Sequence, residues 1–203
     1  PTTNWSIPST VSIISSGAFR SNKWLITVEI PSSVKTIPPY CFFSCPNLKS
    51  VHFPSTLVSI SSYAFAFCSS LIEITLPSGF SSVSLGAFLE CSSLKSIYQD
   101  SGNSVVDIGC ITMATTFMQY PPARQDQSYT IPEGITMIQA TAFRGCQNLR
   151  EIILPSTLVS IEAFSFFHCS KLETIIIPSS VTTIRLYAFA YCTSLKSVSI
   201  SNT

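Results

Sequence analysis

Apolar and polar residues along this chain follow a mixed pattern that recurs every 23 residues. Within Pro54 to Leu76 the apolar ladder is Leu57, Ile60, Ala64, Phe65, Cys68, Leu71, Ile74 and Leu76. Between Leu71 and Leu76 inward and outward residues alternate, the period of a strand with one buried face. Around Ala64 to Cys68 the apolar spacing tightens, which predicts one helical turn. Pro54 ends the preceding strand, because proline lacks an amide donor and fixes φ. Each unit is therefore expected to hold a strand, a corner, a return stretch and a short helical turn.

The prolines expose the period. Pro8, Pro31, Pro54 and Pro77 are 23 residues apart, and so are Pro132, Pro155 and Pro178. Ile14, Ile37, Ile60, Val83, Ile138, Ile161 and Ile184 form an aliphatic column on the same beat. Phe19, Phe42, Phe65, Phe88, Phe143, Phe166 and Phe189 form an aromatic one, and Leu25, Leu48, Leu71, Leu94, Leu149, Leu172 and Leu195 a third. One unit cannot close a core, whereas stacked units cover each other's apolar edges. Burial contributes roughly 1.5–3 kcal/mol per large inward side chain. Ordering the backbone offsets much of that, at about 1–2 kcal/mol per residue.

The run from Leu71 to Val83 reads L-x-x-[IV]-x-[IL]-P-x-x-[VL]-x-x-[I] and resembles a leucine-rich repeat. The fuller unit from Ile177 to Leu195, I-P-S-S-V-T-T-I-x-x-x-A-F-x-x-C-x-S-L, resembles the BspA-like subfamily of microbial and protist surface proteins. The resemblance covers essentially the whole chain. It implies an α/β leucine-rich-repeat solenoid with a parallel β-sheet on one face and short strands and helical turns on the other. The expected organisation is a single domain over residues 1–203, cut from a longer array. Its seven regular units start near Pro8, Pro31, Pro54, Pro77, Pro132, Pro155 and Pro178.

One break interrupts the beat, since 55 residues separate Pro77 from Pro132. Residues 100–131 form a longer, divergent unit. Its Asp107-Ile108-Gly109-Cys110-Ile111 and Tyr120-Pro121-Pro122-Ala123 resemble an irregular unit of the same family that carries a small hairpin. Alternation at Val106, Ile108 and Cys110, and again from Thr116 to Tyr120, predicts two short strands there.

Composition narrows the function. Of 203 residues 46% are hydrophobic and only 10% charged, so Ser and Thr hydroxyls must wet much of the surface. A net charge of +1 gives no field that would gather nucleic acid or anionic lipid. The longest apolar runs, such as Ile175 to Ile177, fall far short of the ~20 residues of a membrane span. No signal peptide or anchor is visible in this chain.

Candidate chemistry is sparse. Six of the eight cysteines, Cys45, Cys68, Cys91, Cys146, Cys169 and Cys192, share one column. Metal ligands must converge on one ion, whereas these residues spread along an axis, one per unit. A disulfide framework stays open, because neighbouring units lie within bridging range. Buried free thiols filling small apolar holes are the simpler reading. Cys41 takes a place otherwise held by Ala18, Ala64, Ala87, Ala142 and Ala188, and Cys110 lies in the irregular unit. Only two histidines are present, His52 on a strand and His168 on a turn, and no Cys-His pair is apparent. There is no glycine-rich phosphate loop and no H-E-x-x-H helix. No catalytic, metal or cofactor site is expected. Asn4-Trp5-Ser6 is a glycan sequon if the chain is secreted.

A binding face is the better expectation. Alternation leaves two outward positions per strand: Thr27 and Glu29, Ser50 and His52, Glu73 and Thr75, Ser96 and Tyr98. In the second block they are Glu151 and Ile153, Thr174 and Ile176, Ser197 and Ser199. Glu29, His52, Glu73, Tyr98, Glu151, Ile153 and Ile176 are the candidate partner-binding residues. Ile153 and Ile176 read equally well as an interaction patch or as β-branched residues suited to a strand. The resemblance implies adhesion to host, matrix or microbial proteins at the cell surface. An intracellular scaffold using the same face is the alternative. Terminal units without a polar cap imply further repeats in a parent protein or end-to-end self-association.

Overall fold

The computed structural model describes residues 3–100, 105–107 and 109–200, the segment 105–107 by its backbone. Its contacts cluster into two compact units, Pro1–Cys110 and Ile111–Thr203. Ile108, expected in a strand, lies outside the described residues.

Unit 1 contains β1 (Thr3–Ser6), β2 (Leu25–Glu29), β3 (Thr36–Ile37), β4 (Ser50–His52), β5 (Ser59–Ile60), β6 (Glu73–Pro77), β7 (Ser82–Val83), β8 (Ser96–Asp100) and β9 (Val105–Asp107). Strands one unit apart pair in parallel, in the orders β1-β2-β4, β3-β5-β7 and β6-β8-β9, with β9 antiparallel to β8. Unit 2 contains β10 (Ile111–Met113), β11 (Thr116–Gln119), β12 (Ser128–Thr130), β13 (Met137–Ile138), β14 (Glu151–Ile153), β15 (Ser160–Ile161), β16 (Thr174–Ile177), β17 (Thr183–Ile184) and β18 (Ser197–Ile200). Its sheets run β12-β14-β16-β18 and β10-β11-β13-β15-β17, the first pair of the latter being an antiparallel hairpin. Registers such as Ile37↔Ile60, Ile60↔Val83 and Ile138↔Ile161 confirm that like residues stack on like.

Each corner is set by its proline. Val11, Val34, Leu57, Phe80, Ile135, Leu158 and Val181 donate their N–H to the carbonyl of Pro8, Pro31, Pro54, Pro77, Pro132, Pro155 and Pro178 respectively. Proline suits the first position of such a turn, because its missing N–H is not needed there.

The expected helical turn is absent: no described residue is helical, and an all-β solenoid replaces the α/β expectation. The reason lies in the backbone. In the stretch around Ala64 to Cys68, Tyr63 and Phe67 have φ of 57° and 62°, left-handed values that interrupt a right-handed helix. N–H groups then alternate in their partners. Those of Tyr63, Phe65 and Phe67 donate to the carbonyls of Leu85, Ala87 and Leu89 in the next unit, whereas Ala64 and Ala66 donate three residues back to Ser61 and Tyr63. Apolar residues spaced as on a helix are therefore served by tight turns laddered between units. Left-handed conformations recur at Tyr40 and Ser44, and at Phe164, His168, Tyr187 and Tyr191. Each costs a non-glycine residue on the order of 1 kcal/mol, which inter-unit hydrogen bonds and ring contacts offset.

The core follows the columns. Phe19, Phe42, Phe65 and Phe88 stack at centroid spacings of 5.0, 5.1 and 5.5 Å. In unit 2, Phe143, Phe166 and Phe189 stack at 5.0 and 5.1 Å. Cys41, Cys45, Cys68, Cys91, Cys110, Cys146 and Cys169 are buried free thiols, and Cys192 is half-buried. A specific bond favours cysteine in the ladder: Cys68 and Cys91 donate to the carbonyls of Phe42 and Phe65, the aromatic-column residues of the preceding repeat, at 3.1 and 3.2 Å. Cys169 does the same to Phe143 at 3.1 Å. Burial pushes the Cys41 and Cys91 thiols up to about 12, so neither is a nucleophile at neutral pH.

The irregular unit supplies its own part of the core. Phe117 stacks on Phe143 at 4.7 Å and so extends the aromatic column without keeping the 23-residue spacing. Tyr120, also stacked on Phe143, donates its hydroxyl to Asp126 Oδ2 at 2.8 Å, and Arg124 Nε reaches the same oxygen at 2.7 Å. Ala114 turns the β10–β11 hairpin with φ of 49°.

Candidate functional site

Parallel pairing decides which candidate residues meet. On the outer face of unit 1, Glu29 of β2 is in register with His52 of β4, and the two share a hollow of about 200 Å³ with Trp5. His52 also borders a second hollow of about 280 Å³ with Glu73, Thr75 and Asp100. Tyr98 on β8 lies in register with Thr75 and lines neither hollow. Unit 1 thus brings Glu29, His52 and Glu73 onto one polar surface.

Unit 2 presents a different face. Ile153 of β14 and Ile176 of β16 are 48% and 60% exposed, while Ile152 and Ile175 between the strand faces are buried. The sheet therefore turns one isoleucine of each neighbouring pair inward and leaves the other in solvent. Both exposed side chains line a groove of about 550 Å³, within the usual range of ligand pockets. Glu151, Thr174 and Ser197 border it along the start of the strands, in register with one another.

Sequence reasoning confined the face to strand positions and so missed the far wall. That wall is built after the proline corner by Glu133, Ser156, Pro178 and Ser180. The Glu133 carboxylate accepts the Ser156 N–H at 3.0 Å and its hydroxyl at 3.1 Å. The Ser156 N–H, helped by the hydroxyls of Ser156 and Thr157, holds Glu133 below the usual carboxylate range. Glu151 accepts the Ser128 hydroxyl at 3.2 Å. Among the described residues neither carboxylate has an ion-pair partner. The nearby cations are engaged with each other's counterion: Arg150 and Lys196 both bind Glu173, the latter at 3.1 Å.

A second feature also escaped the sequence reading. On the turn surface Tyr40 stacks on Tyr63 at 5.4 Å, and the Arg20 guanidinium lies 4.6 Å from the Phe43 ring. Unit 2 repeats the theme, with Arg144 4.5 Å from Phe167 and Phe167 5.1 Å from Tyr191. His168 is exposed on this turn beside Tyr191, far in the unit from any strand position. Among the described residues no group of three His, Cys, Asp or Glu could hold a metal ion, and no helix is long and apolar enough to cross a membrane.

Six copies of the BspA type leucine-rich repeat region match the sequence, over residues 1–114 and 123–203. Among solved structures the chain is similar to a leucine-rich cell surface protein of Faecalibacterium prausnitzii A2-165, with 25% identity and a TM-score of 0.62 over 93% of this chain and 63% of that one. The pneumococcal vaccine antigen PcpA is also 25% identical, with a TM-score of 0.70 over 88% of this chain and 51% of its own. A leucine-rich-repeat protein of Eubacterium ventriosum ATCC 27560, at 21% identity and a TM-score of 0.71, shares the fold over 92% of this chain and 57% of that one. The chain thus spans less than two thirds of each of these relatives. Comparison with curated proteins gives no match.

Proposed function

The chain belongs to the BspA-type leucine-rich-repeat family, and on that premise we propose that it is a non-catalytic recognition module holding a protein partner on the outer sheet face of unit 2. The observation that carries this reading is the pair Ile153 and Ile176, exposed side by side in the 550 Å³ groove. Strand propensity accounts for β-branched residues but not for a hollow built around them by Glu133, Ser156 and Pro178 from three successive corners. Apolar side chains recessed between polar rims are the usual centre of a protein interface. Glu151 belongs to the same site, whereas Glu29, His52 and Glu73 form a polar surface of secondary weight and Tyr98 stands apart from it.

The likeness to a leucine-rich cell surface protein supports placing this module outside the cell, in adhesion to host, matrix or microbial proteins. The intracellular scaffold reading draws on the eight free cysteines, and fractionation of the full-length protein separates the two. The binding site itself is tested by replacing Ile176 with Asp and capturing partners from host and microbial extracts. Loss of the captured protein, with an unchanged thermal melt, is the expected result. Undiminished capture would remove the site from this groove.

A further inference from the structure

The unit 2 groove also has a charge pattern. Glu151 and Ile153 stand two residues apart on β14, so their side chains leave the same face about 6.6 Å apart along the strand. Beyond Ile153 the chain turns at Pro155, and Glu133 and Ser156 close the far wall. Along the strand direction the groove therefore reads carboxylate, isoleucine, carboxylate. In the neighbouring unit Ile176 continues the apolar centre, with Thr174 and Ser180 on its two sides.

Both carboxylates are held by neutral donors, Ser128 for Glu151 and Ser156 with Thr157 for Glu133. These hydrogen bonds fix the oxygens at the rim and leave their charge uncompensated. Arg150, next to Glu151 in the chain, is paired with Glu173, and Arg124, the nearest cation before Glu133, is paired with Asp126. An extended polypeptide has the same two-residue side-chain period as β14 itself. Resting on the proposed function above, we propose that the groove takes an extended peptide segment carrying a bulky aliphatic side chain with lysine or arginine two residues to either side. The aliphatic group packs between Ile153 and Ile176, and the flanking cations meet Glu151 and Glu133. An acidic or uncharged segment with the same aliphatic residue lacks the second half of this match, and like charges facing each other are repelled.

The probes are three fluorescein-labelled peptides, Ser-Lys-Ser-Ile-Ser-Lys-Ser, the same with Glu for Lys, and the same with Ser for Ile. Each is titrated by fluorescence anisotropy against the whole chain. The Lys-Ile-Lys peptide is expected to bind at least about tenfold more tightly than either control, and to weaken as salt is raised. Glu133→Gln with Glu151→Gln should lower its affinity about tenfold while leaving the thermal melt unchanged. Equal binding of the Glu peptide, or an unaffected double Gln variant, would overturn the charge preference. Absence of binding by all three would overturn the peptide assignment. In either case continued loss of extract partners in Ile176→Asp would leave the recognition reading standing. If Ile176→Asp changes neither peptide binding nor partner capture, the recognition reading itself fails.

Discussion

The two units are built on one inner design and carry two outer ones. Inside, both stack phenylalanines at near-equal spacing, 5.1 Å for Phe42 on Phe65 and 5.0 Å for Phe143 on Phe166. Both direct ladder thiols onto phenylalanine carbonyls at 3.1 Å, from Cys68 and from Cys169. Outside, the strands of unit 1 present Glu29, His52 and Glu73, whereas those of unit 2 present Ile153 and Ile176 around a groove of larger volume. Stacking constrains an inward residue through the units on both sides of it. An outward residue answers only to solvent and to whatever it binds.

If the inner design is shared, equivalent cuts should cost the same. Phe65→Ala and Phe166→Ala each remove a fully buried ring from the middle of its column. Each should destabilise its unit by about 3–5 kcal/mol, the largest effect expected of any single substitution here. Denaturant unfolding monitored by hydrogen exchange in each unit would measure both. A difference between them of more than about 2 kcal/mol would break the equivalence.

Glycines in the turns give a finer comparison. Gly86 of unit 1 and Gly145 of unit 2 both adopt left-handed conformations, with φ of 63° and 75°. A Cβ at Gly145 would meet nothing within 4 Å, so Gly145→Ala carries backbone strain alone, about 1 kcal/mol. At Gly86 a Cβ would lie 2.6 Å from Tyr63 Cε1, and the ring would have to leave its stack on Tyr40. Gly86→Ala should therefore cost about 1–3 kcal/mol more than Gly145→Ala, read as a difference in denaturation midpoint at constant slope. Equal costs would show that the Tyr63 ring moves freely and that the outer aromatic stack adds little.

These contrasts also mark what could be read from residues alone. The columns that include Phe65, Leu71 and Ile60 were legible because a side chain that stacks on its own kind leaves a strict period. The outward residues Ile153 and Ile176 were legible from strand alternation. The helical turn at Ala64 to Cys68 was misread, because apolar spacing cannot distinguish an α-turn from tight turns that alternate local and inter-unit hydrogen bonds. The deciding signal is conformational, since Tyr63 and Phe67 are not residues that announce a positive φ. Phe117 escaped the aromatic column because the irregular unit shifts its register, although its ring completes the same stack. The far wall of the groove was invisible because Glu133 and Ser156 meet only through stacking of successive corners, 23 residues apart in the chain.

The smallest expected effect comes from acid and sharpens the description of unit 2. Against the cost of partial burial, hydrogen bonds from Arg124 and Tyr120 hold Asp126 below its ordinary 3.8. Lys196 and then Arg150 hold Glu173 below its ordinary 4.5. A carboxylate with a lowered folded-state pKa binds fewer protons folded than unfolded near that pKa. Its contribution is fully present above the unfolded value and is lost as pH falls through the folded one. Thermal melts of unit 2 should thus be flat near neutrality and decline from about pH 4.5 downward. Solvent screening keeps both shares slight, because the Glu173 and Asp126 side chains are 32% and 42% exposed; Asp126 is the more testable of the two, since its partner Tyr120 is buried. Asp126→Asn should lower the melting temperature at neutral pH and flatten its acid dependence. An unchanged acid slope in that variant would show that the Tyr120–Asp126–Arg124 cluster does not tie the irregular unit to the regular ones through its charge.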